Sequence, residues 1–333
     1  QGSASQNLAT LIPTVLRHGT DHVALCTDDR EPDTLLGPGH LNDCVALAVA
    51  AGISEIDALV LATANPAEYH GFTELGALAP GYQADVVCFD RLEGFRPNRV
   101  WQAGRLVAAD GVAVPGAVPE APAPEWMCRS VHLERPPGPA AFTLAAPAGG
   151  RARTIGIESG SLTTRSIVTD PSDPAAGVAR LAVVERHRRT GRIGLGWVHG
   201  FGLRRGAFAS TVGHDAHNCM VVGSADERGP AAMSAAVARL AEVGGGQVAV
   251  DEHGRVLAEL LLPVGGLMSD RPAAEVASGL DRLVDAVRTL GTTVAAPFMQ
   301  LSFLGLSVIP ELRLTDRGLV DVGAFELVPV AVG

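Results

Sequence analysis

An apolar run that ends on acids constrains this chain more than any other stretch. Val23-Ala24-Leu25-Cys26 is followed at once by Thr27-Asp28-Asp29-Arg30. A short buried strand with carboxylates at its C-terminal end is how an α/β barrel delivers a metal ligand or catalytic base to its active face. A strand is therefore expected over 23–26. That strand completes a site but cannot form one alone, because barrel sites draw residues from several strands.

The neighbouring residues read as helices. Leu8, Leu11, Ile12, Val15 and Leu16 recur at helical spacing, so a helix is expected over 3–17, with Ser3 or Ser5 as N-cap and Pro13 as a kink. A second helix is expected from His40 to Ala51. A third, capped by Ser54, runs to Thr63 with Glu55 and Asp57 in its first turn, and Asn65-Pro66 ends or kinks it. The texture changes at Gly76. Runs at 86–90, 99–102 and 106–108, the last two joined by a turn at Gly104, predict a small β module. Residues 114–149 are rich in Pro, Ala and Gly and read as a linker or wrapping segment, with Trp126 expected to pin part of it down.

From Arg151 strands and helices return. Strands are expected at 154–158, 166–169, 178–186, 193–200, 207–212 and 219–222. Helices are expected at 230–243 and 273–290. A hairpin is expected around Glu252-His253-Gly254, and two short strands flank Thr315-Asp316-Arg317-Gly318. This half predicts an α+β domain with a mainly antiparallel sheet.

The bulk numbers exclude several classes. With 333 residues the chain suits about two domains, and 47% hydrophobic content supplies their cores. A formal charge of −10 disfavours nucleic acid or an anionic membrane surface as partner. No apolar run reaches the ~18 residues of a membrane span. Five cysteines without a CxxC spacing read as free thiols in a reducing compartment, so a cytoplasmic location is expected. The opening Gln1-Gly2-Ser3-Ala4-Ser5 has no basic leader and looks like the interior of a longer protein.

Two groups of residues could carry chemistry. Asp28, with Asp29 beside it, could bind a divalent cation and accept a proton from water, or the pair could cap the following loop. His214-Asp215-Ala216-His217-Asn218 lies between two apolar runs and could face a substrate, or form a hydrogen-bonded polar knot. Its spacing is not a strong zinc signature. His40 and His199 read as structural. Arg186 to Arg192 reads as a solvated loop, and the glycines at 194, 196, 200 and 202 do not match a dinucleotide fingerprint.

These residues resemble a known family. Leu25-Cys26-Thr27-Asp28-Asp29-Arg30-x-Pro32-Asp33, Gly39-His40, Ala62-Thr63-x-Asn65-Pro66-Ala67-Glu68-Tyr69 and Gly76-Ala77-x-Ala79-Pro80-Gly81-Tyr82-x-Ala84-Asp85 are similar to the end of an amidohydrolase-superfamily enzyme, and specifically to bacterial adenine deaminase. So are Gly194-Leu195-Gly196-Trp197-Val198, Gly206 to Asn218, Pro297 to Leu304 and Ile309 to Leu319.

The resemblance implies hydrolytic deamination of adenine at a binuclear Mn or Fe centre. Asp28 matches the last-strand metal ligand and proton acceptor, and Asp29, His214, Asp215, His217 and Asn218 are substrate-side candidates. It also implies a fold of α/β plus α+β parts. These are the terminal βα piece of a metal-dependent TIM barrel over 1–72, a β-sandwich portion over 73–115, a linker over 116–150 and the family's C-terminal domain over 151–333. The family's other ligands, on earlier barrel strands, have no counterpart here. The resemblance therefore implies a chain that is inactive alone, needs the N-terminal barrel half and forms a homo-oligomer. Two rivals stay open: an amidohydrolase for another cyclic amidine or amide, and a non-catalytic purine-binding or assembly module.

Overall fold

The computed structural model describes residues 2–3, 6–117, 121–158 and 161–332. The chain divides into two compact units, 1–121 and 122–333.

The first unit opens with five helices: α1 (Leu8–His18), α2 (Pro32–Leu36), α3 (Leu41–Ala50), α4 (Glu55–Ala62) and α5 (Ala64–Tyr69). Ile12 of α1, Cys44, Val45 and Ala48 of α3, and Ala58 and Leu61 of α4 close around Leu25 as a small core. Ser54 caps α4 as expected, its hydroxyl accepting from the Asp57 N–H at 3.1 Å. Pro13 stays inside α1. Ser3 does not cap that helix: its N–H donates to the Asp29 carbonyl, and its hydroxyl accepts from the Glu31 N–H. Ser5 lies outside the described residues.

The expected strand over 23–26 is corrected. Among the described residues the segment pairs with no strand; its Leu25 N–H donates to the Leu61 carbonyl at the end of α4. A ladder needs an extended neighbour alongside, and the described segments that pack around Leu25 are mostly helical. Leu25 is buried while Ala24 and Cys26 are exposed, so the pleat alternates without a sheet to complete it. A four-stranded antiparallel meander follows: β1 (Val86–Cys88), β2 (Arg99–Gln102), β3 (Arg105–Ala109) and β4 (Val112–Ala113), in that order across the sheet. The β2–β3 turn uses Ala103 and Gly104, both at positive φ.

The second unit is built on eight strands: β5 (Ala152–Ile157), β6 (Thr164–Thr169), β7 (Val178–Val184), β8 (Ile193–His199), β9 (Ala207–Ser210), β10 (Cys219–Ser224), β11 (Gly246–Val250) and β12 (Val256–Leu261). They are ordered β12-β11-β9-β10-β7-β8-β5-β6. Among the described residues only β5 and β8 run parallel. Three further helices, α6 (Gly229–Val243), α7 (Ala273–Thr289) and α8 (Pro297–Phe303), and a small sheet, β13 (Leu312–Thr315), β14 (Gly318–Asp321) and β15 (Glu326–Val328), complete it.

Both faces of the large sheet are covered. Leu181, Val183, Phe208, Met220 and Val222 face α7, α8 and the small sheet, whereas Ala182, Val184, Ala209, Cys219 and Val221 face α6. The central strands therefore read as continuous apolar runs rather than as alternation. Gly194 is glycine because a Cβ there would lie 1.8 Å from the Thr315 carbonyl oxygen, where the small sheet sits down on β8. Helix α8 escapes the sequence reading because it is short and buried along almost its whole length, without an amphipathic period.

Residues 122–150 cluster with the second unit. Their anchor is Phe142, at 0% exposure in the α6-side core. The expected anchor Trp126 is corrected, for it is 81% exposed. The short turn that carries it leaves its ring outside, while the turn at Pro139–Phe142 meets α6. Among the described residues the five cysteines form no disulfide with one another. No helix among the described residues is long and apolar enough to cross a membrane.

Candidate active-site residues

Asp28 lies in the first unit, on the turn that follows the extended segment. Its backbone is left-handed, with φ +57°, and its side chain is exposed. One carboxylate oxygen accepts the N–H of Asp29 at 2.6 Å, which fixes the carboxyl group's direction. Asp29 is exposed as well, and its carbonyl is held by the Ser3 N–H. Arg30 turns inward, with a side chain only 3% exposed. Its guanidinium donates to the Gly39 carbonyl at 2.6 Å and to the Asp43 carboxylate at 2.9 Å. The Thr27 hydroxyl and His40 Nε2 lie 3.3 Å apart. Burial, and secondarily Asp33, push the Glu31 carboxyl up to about 7.

These residues do not fit a complete metal centre on their own. Among the described residues there is no group of three or more His, Cys, Asp or Glu side chains placed to hold a metal ion. A metal centre built from side chains needs several such ligands.

His214, Asp215 and Asn218 line one cleft of the second unit, of about 240 Å³, with Met220, Ser307 and Asp316 among its other walls. The His214 ring stacks on Phe303 at 4.6 Å between centroids, and its backbone N–H donates to the Ser302 carbonyl. The His217 ring stands edge-on to His214 at 5.5 Å. Gly213 N–H points at His217 Nδ1, 3.3 Å away, which puts the neutral ring's own proton on Nε2. Burial, then the neighbouring His214 and Arg186, lower the His217 pKa against the pull of Asp215. Asn218 donates to Asp316, 3.4 Å away, and Arg192 pairs with the same carboxylate at 2.7 Å.

Below this loop sits Arg186, which is buried, whereas 187–192 are exposed as a solvated loop should be; the reading of 186–192 is corrected at Arg186 alone. Arg186 is 1% exposed and donates to the carbonyls of His217, Ser130, Thr211 and Gly265 and to the Ser130 hydroxyl. Burial lowers its pKa. It ties the 211–217 loop to the wrapping segment, so the polar knot has a buried cation as its foot. Sequence reasoning missed Arg186, Arg30 and Asp316. The one available signal was position: Arg30 directly follows the paired acids, and Asp316 sits in a Thr-Asp-Arg-Gly turn.

Comparison with known proteins now bears on both units. The model of the amidohydrolase family matches residues 3–107, and that of the adenine deaminase C-terminal domain matches 158–326. The chain belongs to the adenine deaminase family. A protein of Nitratidesulfovibrio vulgaris (strain Hildenborough) named adenine deaminase is 44% identical over 341 residues, covering 100% of this chain and 58% of the relative. One of Desulfatibacillum aliphaticivorans, of the same name, is 40% identical over 336 residues, covering 98% of this chain and 57% of the relative. "Adenine deaminase 2" of Carboxydothermus hydrogenoformans is 41% identical over 341 residues, again all of this chain and 58% of the relative. The chain thus spans a little over half the length of these curated relatives. The adenine deaminase family is metal-dependent, and this member combines an amidohydrolase part with α+β architecture.

Proposed function

We propose that this chain serves in the hydrolytic deamination of adenine to hypoxanthine and ammonia. The observation that carries the reading is the end-to-end match to proteins named adenine deaminase. Asp28 is the residue assigned to the proton. Its exposed carboxylate, held by the Asp29 N–H, is suited to take a proton from water and return it to the leaving amine. A binuclear Mn or Fe centre with Asp28 as one ligand belongs to the same proposal, as do a cytoplasmic location and a homo-oligomer. The remaining ligands would come from an N-terminal barrel half. In this reading residues 1–72 are the end of the barrel, 73–115 its β-sandwich portion, 116–150 a linker and 151–333 the C-terminal domain. Asp29 and the residues His214, Asp215, His217 and Asn218 are assigned to the substrate side.

The test combines this chain with the N-terminal remainder of the N. vulgaris relative and follows adenine loss in Mn(II). Adenine is expected to turn over, and Asp28→Asn to lower the rate by at least ~100-fold. Full activity in Asp28→Asn removes Asp28 from the chemistry; turnover of other cyclic amidines but not adenine overturns the substrate. A second reading, purine binding by residues 151–333 alone, is favoured by a cleft lined wholly within that unit. Calorimetric titration of the chain with adenine separates the two.

A further inference from the structure

We infer that the two residues before α3 and its first turn, Gly39-His40-Leu41-Asn42-Asp43-Cys44, form with Arg30 a clamp that positions Asp28. The inference rests on the reading of Asp28 as the proton acceptor. Arg30 is a positioning residue in it, acting through the backbone it holds.

Several contacts besides the Leu25 N–H bond to Leu61 hold the segment 23–31. The turn before α3 and its first residues supply them. Cys44 Sγ lies 3.7 Å from the Cys26 carbonyl, and His40 Nε2 lies 3.3 Å from the Thr27 hydroxyl. Arg30 reaches the Gly39 carbonyl at 2.6 Å and Asp43 at 2.9 Å. Residues 26, 27 and 30 are thus fixed to one helix start, and Asp28 and Asp29 bridge between them. On the other side Ser3 takes the Asp29 carbonyl and the Glu31 N–H. Asp28 holds a left-handed backbone, uncommon for a non-glycine residue, with its own carboxylate accepting the Asp29 N–H.

The chemistry of the clamp selects its residues. A guanidinium presents donors in a rigid plane, so one group spans a backbone carbonyl and a carboxylate together; an ammonium is a point charge and does not. Gly39 has φ +125°, and a Cβ there would meet the Asn42 side-chain oxygen at 2.8 Å. The carbonyl that receives Arg30 therefore needs glycine behind it. The Gly-His pair and the arginine after the acids are one device. Helix α3 does not depend on it for burial, since Cys44, Val45 and Ala48 pack into the core.

The experiment uses Arg30→Lys and the charge-free pair Arg30→Met with Asp43→Leu, which leaves no buried carboxylate unpaired. In the full chain, hydrogen exchange of a peptide over 24–31 is expected to rise at least ~10-fold while α4 stays protected; unchanged exchange over 24–31 overturns the clamp. In the complemented enzyme Arg30→Lys is expected to lower kcat by about 10–100-fold with KM for adenine within about twofold, the mark of a displaced reacting group rather than of lost binding. Wild-type kcat in that variant also overturns it. Asp28→Asn, assayed alongside, keeps the two ideas apart. If Asp28→Asn is inactive and Arg30→Lys is wild-type, the clamp fails alone. If Asp28→Asn is fully active, the catalytic reading fails and the exchange result still decides the clamp.

Discussion

The two units solve the burial problem in opposite ways. The second has a sheet buried on both faces, with Leu181, Phe208 and Met220 in one core and Ala182, Val221 and Val248 in the other. The first has one small core around Leu25, Cys44 and Leu61, and leaves large apolar side chains such as Leu11, Leu36, Ile56, Tyr69, Phe72 and Leu78 more than half exposed. Arginines follow the same division. Arg186 is buried on carbonyls within the sheet unit, whereas Arg30 is buried on a carboxylate and a carbonyl to shape a turn. A core closed on all sides sets structure through packing. In the first unit directed polar contacts hold the turn at 27–31, and the proposed reactive carboxylate sits on that turn.

Matched truncations test that contrast most strongly. Phe208 is fully buried, with Phe201 and Phe298 edge-on at 5.5 and 5.2 Å. Phe208→Ala should destabilise the second unit by about 4–5 kcal/mol, since its surroundings cannot collapse. Phe95, packed on Phe89 at 5.9 Å in the open unit, should lose about 3 kcal/mol as Phe95→Ala. Urea denaturation read by regional hydrogen exchange measures both, and equal losses would break the contrast. Arg186→Met comes next. It strips donors from four buried or half-buried carbonyls, and should lower the stability of the second unit by about 3 kcal/mol in the same measurement.

Opposite pH slopes sharpen the comparison. Glu185 is partly desolvated, but the N–H groups of Thr190, Arg188 and His187 and the Thr190 hydroxyl outweigh this and hold its carboxyl at about 2, below the ordinary 4.5. The unfolded chain then binds the extra proton between pH 4.5 and about 2, so the second unit loses stability as pH falls through that window. Glu31 lies the other way, raised to about 7. The folded chain binds the extra proton between pH 4.5 and about 7, so the first unit loses stability as pH rises there. Regional exchange across pH should show the two slopes, with Glu185→Gln and Glu31→Gln each flattening its own. The smallest effect is Ser54→Ala, which should weaken α4 by about 1 kcal/mol in thermal unfolding through loss of its cap.

Much of this was legible in local residues. Ser54 with Asp57, the Ala103-Gly104 turn and the hairpin at Glu252-His253-Gly254 are short-range devices, and each forms where its residues predict. The motif around Asp28 pointed to the family before any fold was known. What stayed hidden depends on distant partners. Val23 to Cys26 has the composition of a strand, but a strand exists only through its neighbours, and among the described residues this segment pairs with none. Trp126 and Phe142 are both large aromatics in one Pro-rich stretch, and only the position of α6 makes Phe142 the anchor.

By itself, then, the sequence determined the family, the Ser54-capped helix and the mainly antiparallel character of the large sheet. Tertiary structure alone decided which arginine is buried, that β5 runs parallel to β8, that α8 exists and that Arg30 reaches Gly39 and Asp43. Local propensity and motif act over a few residues along the chain. Burial, strand pairing and a guanidinium's choice of partners are set by residues that sequence distance does not reveal.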